Sequence, residues 1–229
     1  MPEVLEQVQT PKLPLQNAES YTSVIDEGVY YPEEREDDMG ETSVHINLMA
    51  DFLKMLKYFL RNHQNVFLSG NMNLYYEKGN PHRWFAPDLL IAFGVPNVER
   101  SSYLLWREKV FPQVIFEIAS EKTWRNDLDE KFRFYQELGA EEYYVFDPEF
   151  AFLTAPLLAF HRQGEKLVGK DIENDRIFSP RLGLEIVRTE NNFRLFNPQT
   201  NEFLRTLEEA ESELERLKAE IEKLKRQNK

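Results

Sequence analysis

The stretch 112-PQVIFEIASEKTWRNDLDEKFRFYQELGAEEYYVFDP-148 decides the fold. Its first part, PQVIFEIAS, is almost continuously apolar, as a strand covered on both faces must be, and one acid, Glu117, interrupts it. Burying a carboxylate there is costly unless it is paired or holds a cation. A helix follows, with Asn126 as its expected N-cap, Asp127, Asp129 and Glu130 complementing the dipole of its first turn, and Gly139 at its C′ position. The run EEYYVFDP comes next and is expected to return parallel to PQVIFEIAS through a right-handed crossover.

The helix carries one residue out of keeping with its face. With Leu128 set at zero and about 100° per residue, Phe132, Tyr135 and Leu138 span an arc from about −80° to about +40°, and Lys131 falls inside it at about −60°. A lysine in an apolar stripe either snorkels to the rim or meets a buried carboxylate, and Glu117 on the preceding strand favours the second. A further acid, Asp88, opens the apolar run PDLLIAFGV, where its simplest role is to start a strand after Pro87. Two carboxylates on neighbouring strands can hold a hard divalent cation such as Mg²⁺. Such a cation polarises a phosphate and activates water, and a nearby lysine can stabilise the charge that develops.

Outward from this centre, residues 41–62 place Val44, Ile46, Leu48, Met49, Phe52, Leu53, Leu56 and Phe59 at helical spacing after Thr42 or Ser43 as N-cap. NVFLSG, NLYYEKG and PDLLIAFGV read as successive strands of a meander, and LLAFHR, LEIVR and NFRLF as an extension of the same sheet. Residues 1–20 contain Pro2, Pro11 and Pro14 without a sustained period, which is the pattern of a mobile arm. The chain thus divides into an acidic, partly mobile arm over residues 1–40, an α/β domain over 41–200, and a helix over 201–229. In that last segment Phe203, Leu207, Ala210, Leu214, Leu217, Ile221 and Leu224 follow heptad steps, with Glu213 and Glu220 at g and Lys218 and Lys225 at e. These positions suit a parallel coiled coil and hence a homodimer; the competing arrangement is a helix folded back on its own domain.

The net charge of −12 argues against phosphate binding, but its placement weakens the objection, since residues 1–45 carry eleven acids against two bases. The domain itself is near neutral, and no strong basic stripe runs through it. The absence of cysteine excludes disulfides and thiolate zinc sites. His63, His82 and His161 lack ligand spacing, so zinc is not expected. With no signal-like N-terminus and no run of apolar residues long enough to span a bilayer, a cytoplasmic location without membrane association is expected.

The ordered set Pro87-Asp88, Glu117-Ile-Ala-Ser120, Asp127-x-x-x-Lys131-x-x-x-Tyr135, Gly139 and Glu142-Tyr-Tyr-Val-Phe-Asp147-Pro148 resembles the Uma-type family of restriction endonucleases, a branch of the PD-(D/E)XK nuclease superfamily. The resemblance covers residues 41–167. It implies a restriction-endonuclease-like core with a mixed central sheet flanked by helices, dependence on Mg²⁺ or Mn²⁺, and DNA as substrate. By position it makes Asp88 and Glu117 the metal-holding acids. The superfamily lysine stands two residues after the second acid, where this chain has Ala119, and Lys131 matches the position from which the Uma-type branch supplies it instead. Ser120, Asp127 and Tyr135 match supporting positions, Ser120 with the simpler role of ending the strand, and Glu41 is a candidate accessory acid. Three functions compete. The first is a metal-dependent DNA endonuclease. The second is a catalytically inactive protein of the same fold that binds DNA or assembles through its coiled coil, favoured by the acidic balance and the missing E-x-K. The third is an RNA- or nucleotide-directed hydrolase.

Overall fold

The structure is a computed structural model and describes residues 25–31, 42–190 and 192–227. A tight hairpin comes first, β1 (Ile25–Asp26) and β2 (Val29–Tyr30), turning at Glu27 and Gly28 with φ of 47° and 84°, the positive pair that a two-residue turn between twisted strands needs. Tyr31 then buries completely against Tyr75 and Trp106, with ring centroids 5.0 and 5.2 Å away. Helix α1 (Ser43–Phe59) is capped by Thr42, whose hydroxyl accepts from the His45 amide at 3.3 Å. Its buried face consists of His45, Leu48, Phe52, Met55 and Leu56, whereas Val44 and Ile46, expected in the stripe, lie exposed. They stand one residue to either side of His45, about 100° off its direction.

β3 (Val66–Gly70), β4 (Leu74–Tyr75), β5 (Trp84–Phe85), β6 (Leu89–Phe93) and β7 (Tyr103–Leu104) follow, then the single turn α2 (Leu105–Glu108) and β8 (Val114–Ile118). Next come α3 (Trp124–Leu128), α4 (Glu130–Leu138), β9 (Glu142–Phe146), β10 (Leu157–Gln163) and β11 (Lys166–Gly169). The chain continues through β12 (Arg176–Ser179), β13 (Leu184–Arg188), β14 (Phe193–Asn197), β15 (Glu202–Phe203) and α5 (Leu207–Gln227). The centre is a mixed six-stranded sheet in the order β11-β10-β9-β8-β6-β3, in which β8 and β9 run parallel and the other pairs antiparallel. All residues of β6, β8 and β9 are buried, as their apolar runs require.

The alternation of side chains along these strands sorts them between two cores. Val114, Phe116, Ile118, Tyr144 and Phe146 face α1 and a second sheet, while Ile115, Tyr143 and Val145 face α3, α4 and a small sheet of β5, β4 and β7. Three sequence expectations are corrected here. The meander over residues 65–95 does not form: Asn71, with φ of 51°, turns the chain out of the sheet, β4 joins the small sheet, and β6 pairs directly with β3. The run LLIAF of β6 needs cover on both faces, so it takes the interior place. The strands beyond residue 175 do not extend the central sheet but make the separate antiparallel sheet β12-β13-β14-β15 packed against it, with Phe193 on Phe146 at 4.6 Å. The helix after β8 does not begin at Asn126. Ser120 and Thr123 start it, the Thr123 amide donating to Ser120 Oγ at 3.3 Å and Trp124 N to Ser120 O at 3.1 Å, and it breaks at Asp129 (φ −117°, ψ −80°) into α3 and α4. Gly139 does end α4, at φ 105°.

The helix expected from residue 201 starts only at Leu207, because Glu202 and Phe203 pair with β14 as β15, which takes Phe203 out of the heptad series. Helix α5 opens on a capping box, Glu209 N donating to Thr206 Oγ1 at 3.2 Å and Thr206 N to Glu209 Oε2 at 3.0 Å. None of its side chains is buried. Among the described residues no helix is long and apolar enough to cross a membrane.

Candidate active site

Period-two alternation places Glu117 on the same face of β8 as Ile115, the face covered by α4. From α4, Lys131 and Tyr135 lie one turn apart and both reach it. Lys131 Nζ stands 3.0 Å from Glu117 Oε2, and the Tyr135 hydroxyl donates to Glu117 Oε1. Lys131 Nζ also lies 2.9 Å from Asp127 Oδ1, a carboxylate brought to the same point because Asp127 and Lys131 are four residues apart across the break at Asp129. The carbonyl of Asp127 is itself held by the Tyr143 hydroxyl at 2.9 Å.

Asp88 enters from the neighbouring strand. Its amide lies 3.4 Å from Glu117 Oε2, and its Oδ2 accepts from the Ile118 amide at 2.6 Å, so the two acids are tied together across the β6–β8 pair. The approach of β3 to this point depends on Gly70: a Cβ there would stand 3.2 Å from the Asp88 carbonyl. The other oxygen of Asp88, Oδ1, is 2.9 Å from His45 Nε2 on the first turn of α1.

Asp88, Glu117 and Lys131 are therefore brought together, with Asp127 and Tyr135 in contact. Ser120 is not in the cluster; its hydroxyl pairs with Thr123 Oγ1 at 3.0 Å and starts α3. Glu41 lies outside the described residues. His45 was not among the residues singled out from the sequence, although its signal was present: it is in phase with Leu48, Phe52 and Leu56, and a histidine on an apolar helix face needs a polar partner. His161 lies elsewhere, 3.0 Å from the Tyr144 hydroxyl.

Asp88, Glu117 and Asp127 are all buried and confront one ammonium. Burial drives the Glu117 carboxyl well above the usual carboxylate range; Lys131 and the Tyr135 hydroxyl pull it back, while Asp127 and Asp88 push it further up. Asp127 is raised for the same reason, burial, with Lys131 opposing. Burial alone would favour the neutral amine of Lys131, but the facing carboxylates of Glu117, Asp127 and Asp88 outweigh it and hold the ammonium above its ordinary range. Burial and the adjacent Glu117 likewise keep the Tyr135 phenol protonated.

This surplus of buried negative charge is what a divalent cation would relieve. Among the described residues no three histidine or acidic side chains form a ready-made metal cage. The pair Asp88 and Glu117 fits the sparser demand of Mg²⁺, which takes one or two carboxylates and keeps several waters.

A pH effect follows, with a definite sign. Both raised acids bind a proton more tightly folded than unfolded, so their contribution to stability is greatest in acid. It falls as pH rises from the ordinary values of 3.8 and 4.5 through the raised folded ones. With EDTA present, melting temperature is expected to decline over that window more steeply in the wild type than in Glu117→Gln, and millimolar Mg²⁺ is expected to flatten the difference. Equal slopes for the two proteins, with and without Mg²⁺, would count against a cation-relieved charge cluster.

A family model described as "Putative restriction endonuclease", Uma2, matches residues 28–188, extending beyond residues 41–167 at both ends. No curated protein matches the chain. A solved structure described as a "putative nuclease belonging to DUF820" from Anabaena variabilis is similar at 12% identity and a TM-score of 0.45, covering 69% of this chain and 80% of that one. With the family model spanning well over half of its length, the chain belongs to the Uma2 family.

Proposed function

We propose that the protein is a divalent-metal-dependent endonuclease that hydrolyses phosphodiester bonds in DNA. The observation carrying this reading is the buried convergence of Asp88, Glu117 and Lys131, two acids and a lysine from three elements, with more negative charge than the lysine neutralises. Membership in a restriction-endonuclease family supports DNA as the substrate. Asp88 and Glu117 would hold Mg²⁺ or Mn²⁺, which when bound supplies a polarised phosphate and a more acidic water. The protein's own groups set the geometry. Tyr135 holds Oε1 of Glu117 and leaves Oε2 towards Lys131 and Asp88. Asp127 anchors the ammonium of Lys131, which stays charged and can stabilise negative charge on the phosphate under attack. Lys122 and Arg125 are exposed on the turn and helix that lead into Asp127, and would offer a nucleic-acid backbone positive charge despite the acidic total. A cysteine-free chain acting on DNA suits the cytoplasm.

Plasmid nicking and linearisation with Mg²⁺ or Mn²⁺ against EDTA tests the proposal. Metal-dependent cleavage is expected. DNA retention with intact plasmid in either metal would favour a non-catalytic binding protein.

The reading includes a homodimer formed through α5. Leu207, Leu214, Leu217, Ile221 and Leu224 are each between 44% and 51% exposed, and this apolar stripe supports the reading. A second copy fits this stripe because Glu213 and Glu220 would face Lys218 and Lys225 of a parallel partner. Ala210 weakens the seam. Two sites in one dimer can cut both strands of a duplex, where a single site nicks one. Sedimentation is expected to give a dimer at tens of micromolar for the full chain and a monomer for residues 1–201. A full-length monomer, or a dimer that survives truncation, would refute a coiled-coil interface.

A further inference from the structure

We infer that His45 is a positioning residue for Asp88, fixing the carboxylate in the orientation that receives the cation; this rests on the metal-nuclease reading above. The contact joins two buried groups, His45 Nε2 and Asp88 Oδ1 at 2.9 Å, with side chains 6% and 9% exposed. Towards a carboxylate, Nε2 must be the protonated nitrogen and donate. The second oxygen of Asp88 is already held by the Ile118 amide at 2.6 Å. One donor on each oxygen removes rotation about the Cβ–Cγ bond and leaves each oxygen a further lone pair for a cation.

The clamp is stiff because of how His45 is carried. It sits in the first turn of α1, its amide tied to the Thr42 hydroxyl, and the same helix face sets Phe52 edge-on against the stacked pair Phe116 and Phe146, at centroid distances of 5.8 and 5.3 Å. Phe116 precedes Glu117, so the helix bearing the clamp rests on the strand bearing the other acid. His45 and Asp88 are thus set by one packed unit.

Removing a partner that orients a metal ligand typically weakens metal binding about tenfold to a hundredfold. Calorimetric titration of the full chain with Mn²⁺ is expected to show such a loss in His45→Ala and recovery of most of it in His45→Gln, whose side-chain amide can donate from a similar position. Electron-spin-echo modulation of bound Mn²⁺ is expected to show no directly coordinated imidazole nitrogen. In the metal-free wild type, long-range ¹H–¹⁵N correlation is expected to place a proton on Nε2 of His45. Wild-type affinity retained in His45→Ala, an Nε2 without a proton, or a coordinated imidazole would each overturn the inference while leaving the nuclease reading intact. A wild type that binds no Mn²⁺ would remove both. If His45→Ala does not fold, His45→Gln and the two spectroscopic measurements still decide, with Gln affinity lowered as far as a hundredfold counting against the clamp.

Discussion

Glu117→Gln is expected to lower metal-dependent cleavage of plasmid DNA by more than about a hundredfold, the upper end of what is lost when only the surroundings of a metal ligand are changed. Glutamine keeps the size of the side chain and an acceptor for Tyr135 but brings no charge to a cation. Its effect on folding should have the opposite sign. The wild-type site holds three buried carboxylates against one lysine, and burial holds Glu117 well above the usual range, so removing one charge relieves the metal-free protein. In EDTA at neutral pH the variant should melt at or above the wild-type temperature. An inactive variant that melts far below wild type would have lost its fold instead. A variant that cleaves at the wild-type rate would take Glu117 out of the site.

Lys131→Met should fail in both respects. Methionine replaces the stem of the lysine but leaves Glu117 and Asp127, 3.0 and 2.9 Å from the missing ammonium, without their counter-ion. Breaking a buried ion pair from one side costs about 3–5 kcal/mol, and losing one charge-stabilising donor costs about 10²–10³ in rate. The stability loss should be largest at neutral pH in EDTA and shrink on acidification, as protons replace the ammonium. Thermal melts at two pH values and single-turnover cleavage would measure both. A folded Lys131→Met protein with undiminished cleavage would assign the lysine a purely structural role.

Much of this site was legible because its parts are encoded locally. The continuous apolar run around Glu117 specifies a strand covered on both faces, and the helical phase of Lys131 specifies a side chain facing that strand. Gly139 marks the end of the helix through its positive φ, and Thr42 marks the start of α1 through its hydroxyl. What could not be read depends on partners distant in sequence. Nothing in NLYYEKG states that two of its residues will join a small sheet while β6 reaches past it to β3. The break at Asp129 was hidden by acids that suit a helix start equally well. The role of His45 is equally hidden, because its partner is an aspartate 43 residues away.

The alternation along β8 has a consequence for how the chain tolerates change. Phe116 belongs to one core and Glu117 to the opposite side, where Lys131 waits. Inserting or deleting one residue between Gln113 and Phe116 would exchange these destinations. A carboxylate would enter the layer of Phe52 and Phe146, and an aromatic ring would meet the ammonium. Point substitutions around the cluster cost it one contact at a time, whereas a single-residue frame slip in this strand would empty it at once. Length variation among related sequences should accordingly accumulate in the connections, leaving the spacing from Val114 to Ile118 untouched.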